Sequence, residues 1–346
     1  MNPETQTRRG QGARSPQVLA WGALVAAMLF WAVGFFVNKE ILRTLTPFSA
    51  LSIRFLIAGS ILLIPVLRRY GLRLPKRDIL PVLITCLLNP IAHYTLSMYG
   101  IRMTSASHAA VVGGTFPVAV CLLAGLARLE ALTPERIAGV ASAAIGVAII
   151  GLVGAEGSEA SMLGDGLILI GVIGCAVQIV WLKRIFKRVP PMKLLFYQLV
   201  VGVAVFAPAG AIEGFASLAR ATPLVFLEVA FVAVFGTVLA FGLQYFALQR
   251  LSATSVATSS GLVPVFSLAL EVLLLGLIPS LPGRILGALF VIAGIVLTQS
   301  AEGRLFSRWR RVPDAGGGSS HAASLSRIRA RCICNTSERS TRESSD

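Results

Sequence analysis

YTLSMYGIRMTSASHAAVVGGTFPVAVCLLA occupies residues 94–124, and YFALQRLSATSVATSSGLVPVFSLALEVLLLG occupies residues 245–276. Each stretch holds two apolar runs around a short basic turn, marked by Arg102 in the first and Arg250 in the second. Ser105-Ala106 and Pro117 recur as Ser252-Ala253 and Pro264, an offset of 147. Further out, Lys39 and Pro47 recur as Lys183 and Pro191 at 144, and Gly139 and Gly146 recur as Gly287 and Gly294 at 148. One-residue loop insertions produce such a drift. The chain therefore reads as a duplication, with one unit over residues 20–153 and a second over 163–300.

Composition says what kind of unit is duplicated. Apolar residues make up 55% of the chain and charged residues 14%, with a mean hydropathy of +0.78. A soluble domain carries about 25% charged residues, so residues 1–300 hold too little charge to cover a water-exposed surface. A soluble enzyme is excluded on that ground. Crossing the hydrocarbon takes about 20 mainly apolar residues in a helix. Ten segments qualify: 20–37, 48–67, 79–100, 104–126, 136–153, 163–182, 192–212, 224–247, 253–277 and 284–300. The expected fold is an all-α polytopic membrane protein of ten transmembrane helices. Residues 1–19 form a polar leading segment, and the apolar run from Leu19 reads as an uncleaved first span, since no small-residue cleavage site follows it.

Basic residues set the sidedness. With both termini inside, 25 of the 31 Lys and Arg lie inside, and Lys39, Arg43, Arg102, Arg220 and Arg284 lie outside, with Arg54 inside a span. Without the nine arginines after residue 300 the ratio is still 16 to 5, as the positive-inside rule requires. Around the outside loop 154–162, Glu156, Glu159 and Asp165 occur without a basic residue. Each unit then holds five spans, an odd number, so the second enters the membrane from the opposite side. Inverted repeats of this kind build many secondary transporters, with the substrate site near the midplane where the repeats meet.

The two quoted stretches resemble the EamA-type transporters of the drug/metabolite transporter superfamily. That family's pattern is an aromatic-rich stretch, "AL", a short basic turn, "SA", a small-residue helix and then "P-V". Arg54-Phe55-Leu56 also resembles the family's first repeat. The resemblance covers about residues 20–300. It implies a ten-helix fold with spans 3, 4, 8 and 9 around a central cavity, in a bacterial inner membrane, exporting amino acids or similar metabolites. One departure stands out. The family often ends its fourth and ninth spans with "LGE", thirteen residues after the proline; here Glu130 holds that place in the first unit and Leu277 in the second. A glutamate appears six residues earlier instead, as Glu271.

Ionisable groups inside a span usually face the bundle interior or a water-filled cavity. Ser260, Pro264, Ser267 and Glu271 share one helix face. Glu271 either binds a cationic group or a coupling proton there, or sits near the outer interface capped by Arg284. Asn89, His93 and Ser97 form a polar stripe on the third span. It lines a cavity, or its imidazole hydrogen-bonds a neighbouring helix while Asn89 helps Pro90 satisfy the backbone. His108, near Thr104 and Thr115, reads as interfacial. Arg54 snorkels to the outer headgroups, ligates an anionic group of the cargo, or pairs with Glu271, and Gln198 is its neutral match in the second unit. Thr237, Gln244 and Gln178 are hydrogen-bond donors for cargo or for other helices. The candidate substrate-binding set is Arg54, Asn89, His93, Ser97, Thr237, Gln244, Ser260, Ser267 and Glu271.

Gly139, Ala143 and Gly146, with Gly283 and Gly287, permit close helix approach within one chain or in a homodimer. Trp21, Trp31 and Trp181 read as headgroup anchors. Cys86, Cys121 and Cys175 lie singly in apolar segments, and Cys332-Ile-Cys334 lacks the paired spacing of a zinc site. Nothing in the sequence asks for a cofactor or metal, and no Walker A loop provides for ATP. The tail 301–346, rich in Gly, Ser and Arg, is expected to be disordered, cytoplasmic and drawn to anionic lipid rather than nucleic acid. The function expected is a secondary transporter of amphiphilic or zwitterionic metabolites working by alternating access, with protons as a coupling ion. The alternatives are a lipid flippase and a non-transporting scaffold.

Overall fold

The computed structural model describes residues 15–104, 106–153, 161–213, 215–276 and 281–310. Most of the leading segment, most of the 154–162 loop, Leu277, the tail from residue 311 and its two cysteines lie outside the described residues. Among the described residues there is no strand. The helices are α1 (Ser15–Thr44), α2 (Pro47–Tyr70), α3 (Lys76–Met103), α4 in two pieces (Ala106–Gly114 and Phe116–Leu126) and α5 (Pro134–Leu152). The second half repeats the series with α6 (Met162–Ile185), α7 (Pro191–Glu213), α8 (Pro223–Leu248), α9 in two pieces (Ala253–Ser259 and Leu262–Leu275) and α10 (Leu281–Arg310). Nine described helices are long and apolar enough to cross a membrane, where the sequence gives ten spans; α4, interrupted at Thr115, carries only the shorter apolar stretch Val111–Leu126. Residues 301–310, expected to belong to a disordered tail, continue α10.

Local chemistry starts these helices where the sequence breaks. Pro47, Pro134 and Pro223 stand in the first turns of α2, α5 and α8, where a missing N–H leaves no gap in the ladder. Thr133, Ser161 and Ser252 cap α5, α6 and α9 by accepting from the backbone N–H of Arg136, Gly164 and Ser255 at 3.3, 3.3 and 3.0 Å.

The packing is reciprocal. Helix α3 lies along α6, and α8 along α1; α4 meets α6, and α9 meets α1; α2 packs on α7 and α4 on α9. In lipid there is no hydrophobic drive between helices, so close approach through small residues has to hold them. A Cβ on Gly139 would stand 2.7 Å from Gly294 O, and one on Gly146 would stand 2.5 Å from Gly287 O. These glycines join α5 to α10 inside one chain, which leaves them no part in a homodimer. At one end of the bundle the connections between α2 and α3, α4 and α5, α6 and α7, and α8 and α9 are tied together. Lys193 Nζ donates to Arg73 O (2.6 Å), Arg188 pairs with Asp78 (3.4 Å), Arg184 donates to Ala127 O (3.3 Å), and Lys183 donates to Leu251 O.

Candidate functional site

Helix α3 is interrupted halfway. Asn89 is extended at φ −152° and ψ 121°, the Asn89–Pro90 bond is cis, and the helix widens over Leu87–Ala92. Non-helical backbone at membrane depth is tolerated only where protein buries it or a cavity receives it. Helix α8 widens in the same way over Val232–Leu239. The two irregular segments begin 145 residues apart, within the offsets read from the sequence.

Side chains from α2 and α7 cross the bundle to these two segments. Arg54 of α2 donates from Nε to Thr237 Oγ1 at 2.6 Å and from a terminal nitrogen to Gly236 O at 3.4 Å. Gln198 of α7, its match in the second half, donates from Nε2 to Asn89 O at 3.0 Å and accepts from the Tyr245 hydroxyl at 2.7 Å. Trp31 of α1 also points inward, donating from Nε1 to Gly236 O at 3.0 Å and meeting the Phe241 ring edge-on at 5.1 Å. The headgroup role expected for Trp31 is thereby corrected: it lies in the middle of α1, where the α8 carbonyl freed by the widening takes its N–H.

Between these elements lies a cleft lined by Phe55, Asn89, Tyr94, Gln198, Thr237, Phe241 and Tyr245, with Pro90, Leu195 and Leu199 completing it. It encloses about 260 Å³ of unfilled space, of which only about 20 Å³ admits a water-sized sphere, room for a single water. A row of rings leads away from it between α2, α3 and α7. Tyr94 meets Phe55 at 6.1 Å, Phe55 meets Phe206 at 5.7 Å, Phe206 stacks on Phe48 at 5.7 Å, and Phe48 meets Tyr99 at 6.2 Å. The row ends where Glu213 accepts from Phe48 N at 3.1 Å. In this structure the site is shut on that side.

Arg54 is 8% exposed, which excludes snorkelling, and no described carboxylate pairs with it. Its hydrogen-bond partners are neutral, with the Tyr94 hydroxyl close by. An arginine costs up to about 2.5–3.5 kcal/mol at the centre of a spanning helix on insertion scales, and Arg54, seven residues past Pro47, is buried short of that depth. Hydrogen bonds to neutral groups, averaging about 0.6 kcal/mol in a bilayer, do not offset that full cost.

Of the nine residues the sequence singles out, Asn89 and Thr237 line the cleft and Arg54 is bonded to Thr237. The stripe on α3 turns elsewhere: Asn89 Nδ2 reaches Cys175 Sγ at 3.7 Å, His93 Nδ1 lies 3.3 Å from Gly171 O, and Ser97 packs beside Gly171. All three side chains of the stripe therefore meet α6, and Asn89 alone also borders the cleft. Glu271 pairs with Arg284 at 3.0 Å, with side chains 33% and 19% exposed. It neither lines the cleft nor meets Arg54, since Arg284, thirteen residues on, supplies the opposite charge nearer at hand. Ser260 donates to Ala257 O at 2.6 Å in the interruption of α9. Gln244 is buried on α8, and neither it nor Ser267 lines the cleft. The sequence reading missed the aromatic lining of Phe55, Tyr94, Phe241 and Tyr245. Its accessible signals were Tyr94 and Tyr245, which open the two repeated stretches, and Phe55 beside Arg54.

A family model for the EamA-like transporters matches residues 19–152 and again 162–299. The chain belongs to the EamA-like transporter family. As an EamA-like transporter it is a multi-pass membrane protein and not an enzyme. An "Uncharacterized transporter" of Archaeoglobus fulgidus is 28% identical over 282 residues, spanning 81% of this chain and 96% of its own length. The "Uncharacterized transporter YetK" of Bacillus subtilis is 26% identical, over 82% and 87% of the two chains. The "Uncharacterized inner membrane transporter YedA" of Escherichia coli K12 is 29% identical over 71% and 80%. A solved crystal structure superposes on this EamA-like chain with a TM-score of 0.72 at 18% identity, covering 84% of this chain and 99% of its own. That likeness speaks for the fold alone.

Proposed function

We propose that this EamA-like chain is a secondary transporter that exports small amphiphilic metabolites from a bacterial cytoplasm by alternating access. The two five-helix units, 20–153 and 163–300, act as inverted repeats with both termini cytoplasmic, and they rock about the cleft between the α3 and α8 irregularities. The observation that carries the proposal is the pair of irregular segments at mid-span, a break in α3 and a widening in α8, each met by a polar side chain from the opposite half. Discontinuous helices at the repeat interface are where transporters of this construction hold their cargo. The reciprocal packing of α3 on α6 and α8 on α1, and the doubled family match, support the inverted duplication. The concentration of Arg and Lys at the end that ties α2 to α3 and α6 to α7 supports a cytoplasmic position for that end. A gradient of the cargo or of protons drives the cycle.

A flippase needs a polar lateral groove. The lateral groove beside α4 and α6 is lined by Leu123, Leu126, Val177, Val180 and Trp181, with Arg184 its one charged group. The groove next to it carries Asp78, Arg184 and Arg188 beside Pro81 and Trp181, so the case for a carrier rests on the cleft. The test is counterflow in proteoliposomes loaded in turn with pooled carboxylic acids, amino acids, nucleosides and cationic drugs, labelled cargo outside and empty liposomes as control. Accumulation from one pool establishes the carrier; accumulation from none of them refutes it for all four classes.

A further inference from the structure

We infer that the cleft takes a monoanionic organic acid with an aromatic or branched apolar body, and that Arg54 is the ligand of its carboxylate. The inference rests on the reading of this cleft as the transport site, and it names the class of cargo.

The argument begins with the whereabouts of negative charge. Asp78 is held by Arg188 and Arg77, Glu130 by Arg136 and the first turn of α9, and Asp165 by Thr104 and His108. Glu213 accepts from Phe48 N, Glu271 pairs with Arg284, and Glu40 pairs with Arg43. None of these carboxylates lines the cleft, and neither do Glu135 and Glu228, while Arg54 lies behind the lining, bonded to the lining residue Thr237. The described site thus carries one positive charge without a counter-charge. A buried guanidinium is held well only by an anion, and its planar fork matches a carboxylate two bonds at a time.

The rest of the lining decides what else the ligand carries. Phe55, Tyr94, Leu195, Leu199 and Phe241 give apolar surface, and Asn89, Gln198 and Tyr245 are neutral. An ammonium would find no carboxylate here, so a zwitterion or cation would bring an uncompensated charge into a desolvated site. A second carboxylate on the ligand would be equally unmatched, since Arg54 is the one described guanidinium bonded to a residue of the lining. The cleft now admits one water, so the acid enters when the halves separate. Its carboxylate then takes the guanidinium from Thr237 Oγ1 and Gly236 O, both neutral and both weaker acceptors than a carboxylate. The amphiphilic cargo expected from the sequence is thereby narrowed to an acid, in preference to the zwitterion.

The test uses the purified full-length protein in detergent and four probes of one shape: 3-phenylpropionate, 3-phenylpropanamide, phenylalanine and phenylethylamine. Equilibrium dialysis should show the acid binding at least about 30-fold more tightly than the amide or the amine, the scale set by an unpaired buried charge. Arg54→Gln should reduce acid binding to the level of the amide and leave amide binding unchanged. Arg54→Lys should keep part of the preference, and a monodisperse elution profile for both variants separates lost binding from lost fold. Equal binding of acid and amide, acid binding that survives Arg54→Gln, or no acid binding at all overturns the inference. Acid binding without counterflow would sink the carrier reading and leave this one standing. Counterflow of a neutral or cationic cargo that survives Arg54→Gln would do the reverse.

Discussion

Helices α2 and α7 each send one polar side chain across the bundle at matching positions, and the two crossings end differently. Gln198 closes its circle: it donates to the carbonyl freed at Asn89 and accepts from Tyr245, and every member is neutral and buried. Arg54 satisfies its hydrogens on Gly236 and Thr237 but not its charge. The segments they reach differ as well. The α3 break is built around Pro90 and an extended Asn89, whereas α8 widens over Val232–Leu239 without a proline. The architecture has been kept in duplicate while the chemistry has parted. One crossing is a strut, and on the proposed reading the other is a socket. A buried polar network that is complete specifies a conformation; one that lacks its counter-charge leaves room for a ligand.

The comparison breaks most violently where the two halves meet backbone to backbone. Gly146→Leu would put a side chain where Gly287 O and Val291 N already stand, 2.5 and 2.7 Å from the new Cβ. Backbone cannot rotate away as a side chain can, so we expect no monodisperse protein, checked by size-exclusion after purification. Gly22→Leu is the control, since nothing lies within 4 Å of its Cβ. Next in size comes Glu130→Ala. Glu130 accepts from Ala253 N, Thr254 N and Thr254 Oγ1 at the start of α9, and pairs with Arg136, whose side chain is 3% exposed. Removing it leaves Arg136 buried without its carboxylate, and the N–H groups of Ala253 and Thr254 without their acceptor, although the Ser252 cap of α9 stays. A loss of about 3–5 kcal/mol is expected, to be read as a large fall in melting temperature in detergent.

Glu130 also shows how much was legible beforehand. Its position thirteen residues after Pro117 is visible in the chain, and so is the replacement of its counterpart by Leu277, but nothing in one sequence says that it spans to α9. The spans, the duplication and the short connection from α3 to α4 follow from apolar run length and the offsets near 145, both of which are local signals. The direction in which a helix face looks is not local. Asn89, His93 and Ser97 share one face in the structure as in the sequence, but that face meets α6 at Cys175 and Gly171, and only Asn89 also borders the cleft. Likewise Trp31 lies in mid-helix, a fact obscured when the span was taken to end at residue 37 while α1 runs to Thr44. For Arg54 three fates were open from the sequence, and burial with its observed partners selects among them.

The strut and the socket should respond oppositely to the same substitution. Gln198→Leu strands the Asn89 carbonyl and the Tyr245 hydroxyl in a buried site, at a cost of about 1–3 kcal/mol. Arg54→Leu takes a partner from the Tyr94 hydroxyl, from the Thr237 hydroxyl, which still donates to Val232 O at 3.2 Å, and from Gly236 O, which still accepts from Trp31. It also removes a buried charge, a change that is often neutral or stabilising. The melting temperature should therefore fall for Gln198→Leu and hold or rise for Arg54→Leu, while acid binding is lost in the second. A fall of similar size in both would make Arg54 a strut as well, and the asymmetry drawn above would fail.

The smallest effect is expected at the other charge inside a span. Glu271 and Arg284 form a partly exposed pair at 3.0 Å, and pairs of that exposure are worth about 1 kcal/mol or less. Glu271→Gln keeps the shape of the side chain and its capacity to accept from Arg284, so exchange in counterflow should match the unaltered protein. Accumulation driven by an imposed pH gradient should match it too, because a carboxylate held by a guanidinium away from the cleft has no path to sense whether cargo is bound. The two readouts separate cleanly. If exchange persists while gradient-driven accumulation disappears, the proton travels through Glu271, and the coupling site and the cargo site sit at different depths of the bundle. If both persist, the charge that matters to transport is the one at Arg54, and the drive has to reach the cargo through movement of the two halves rather than through a titrating carboxylate on α9.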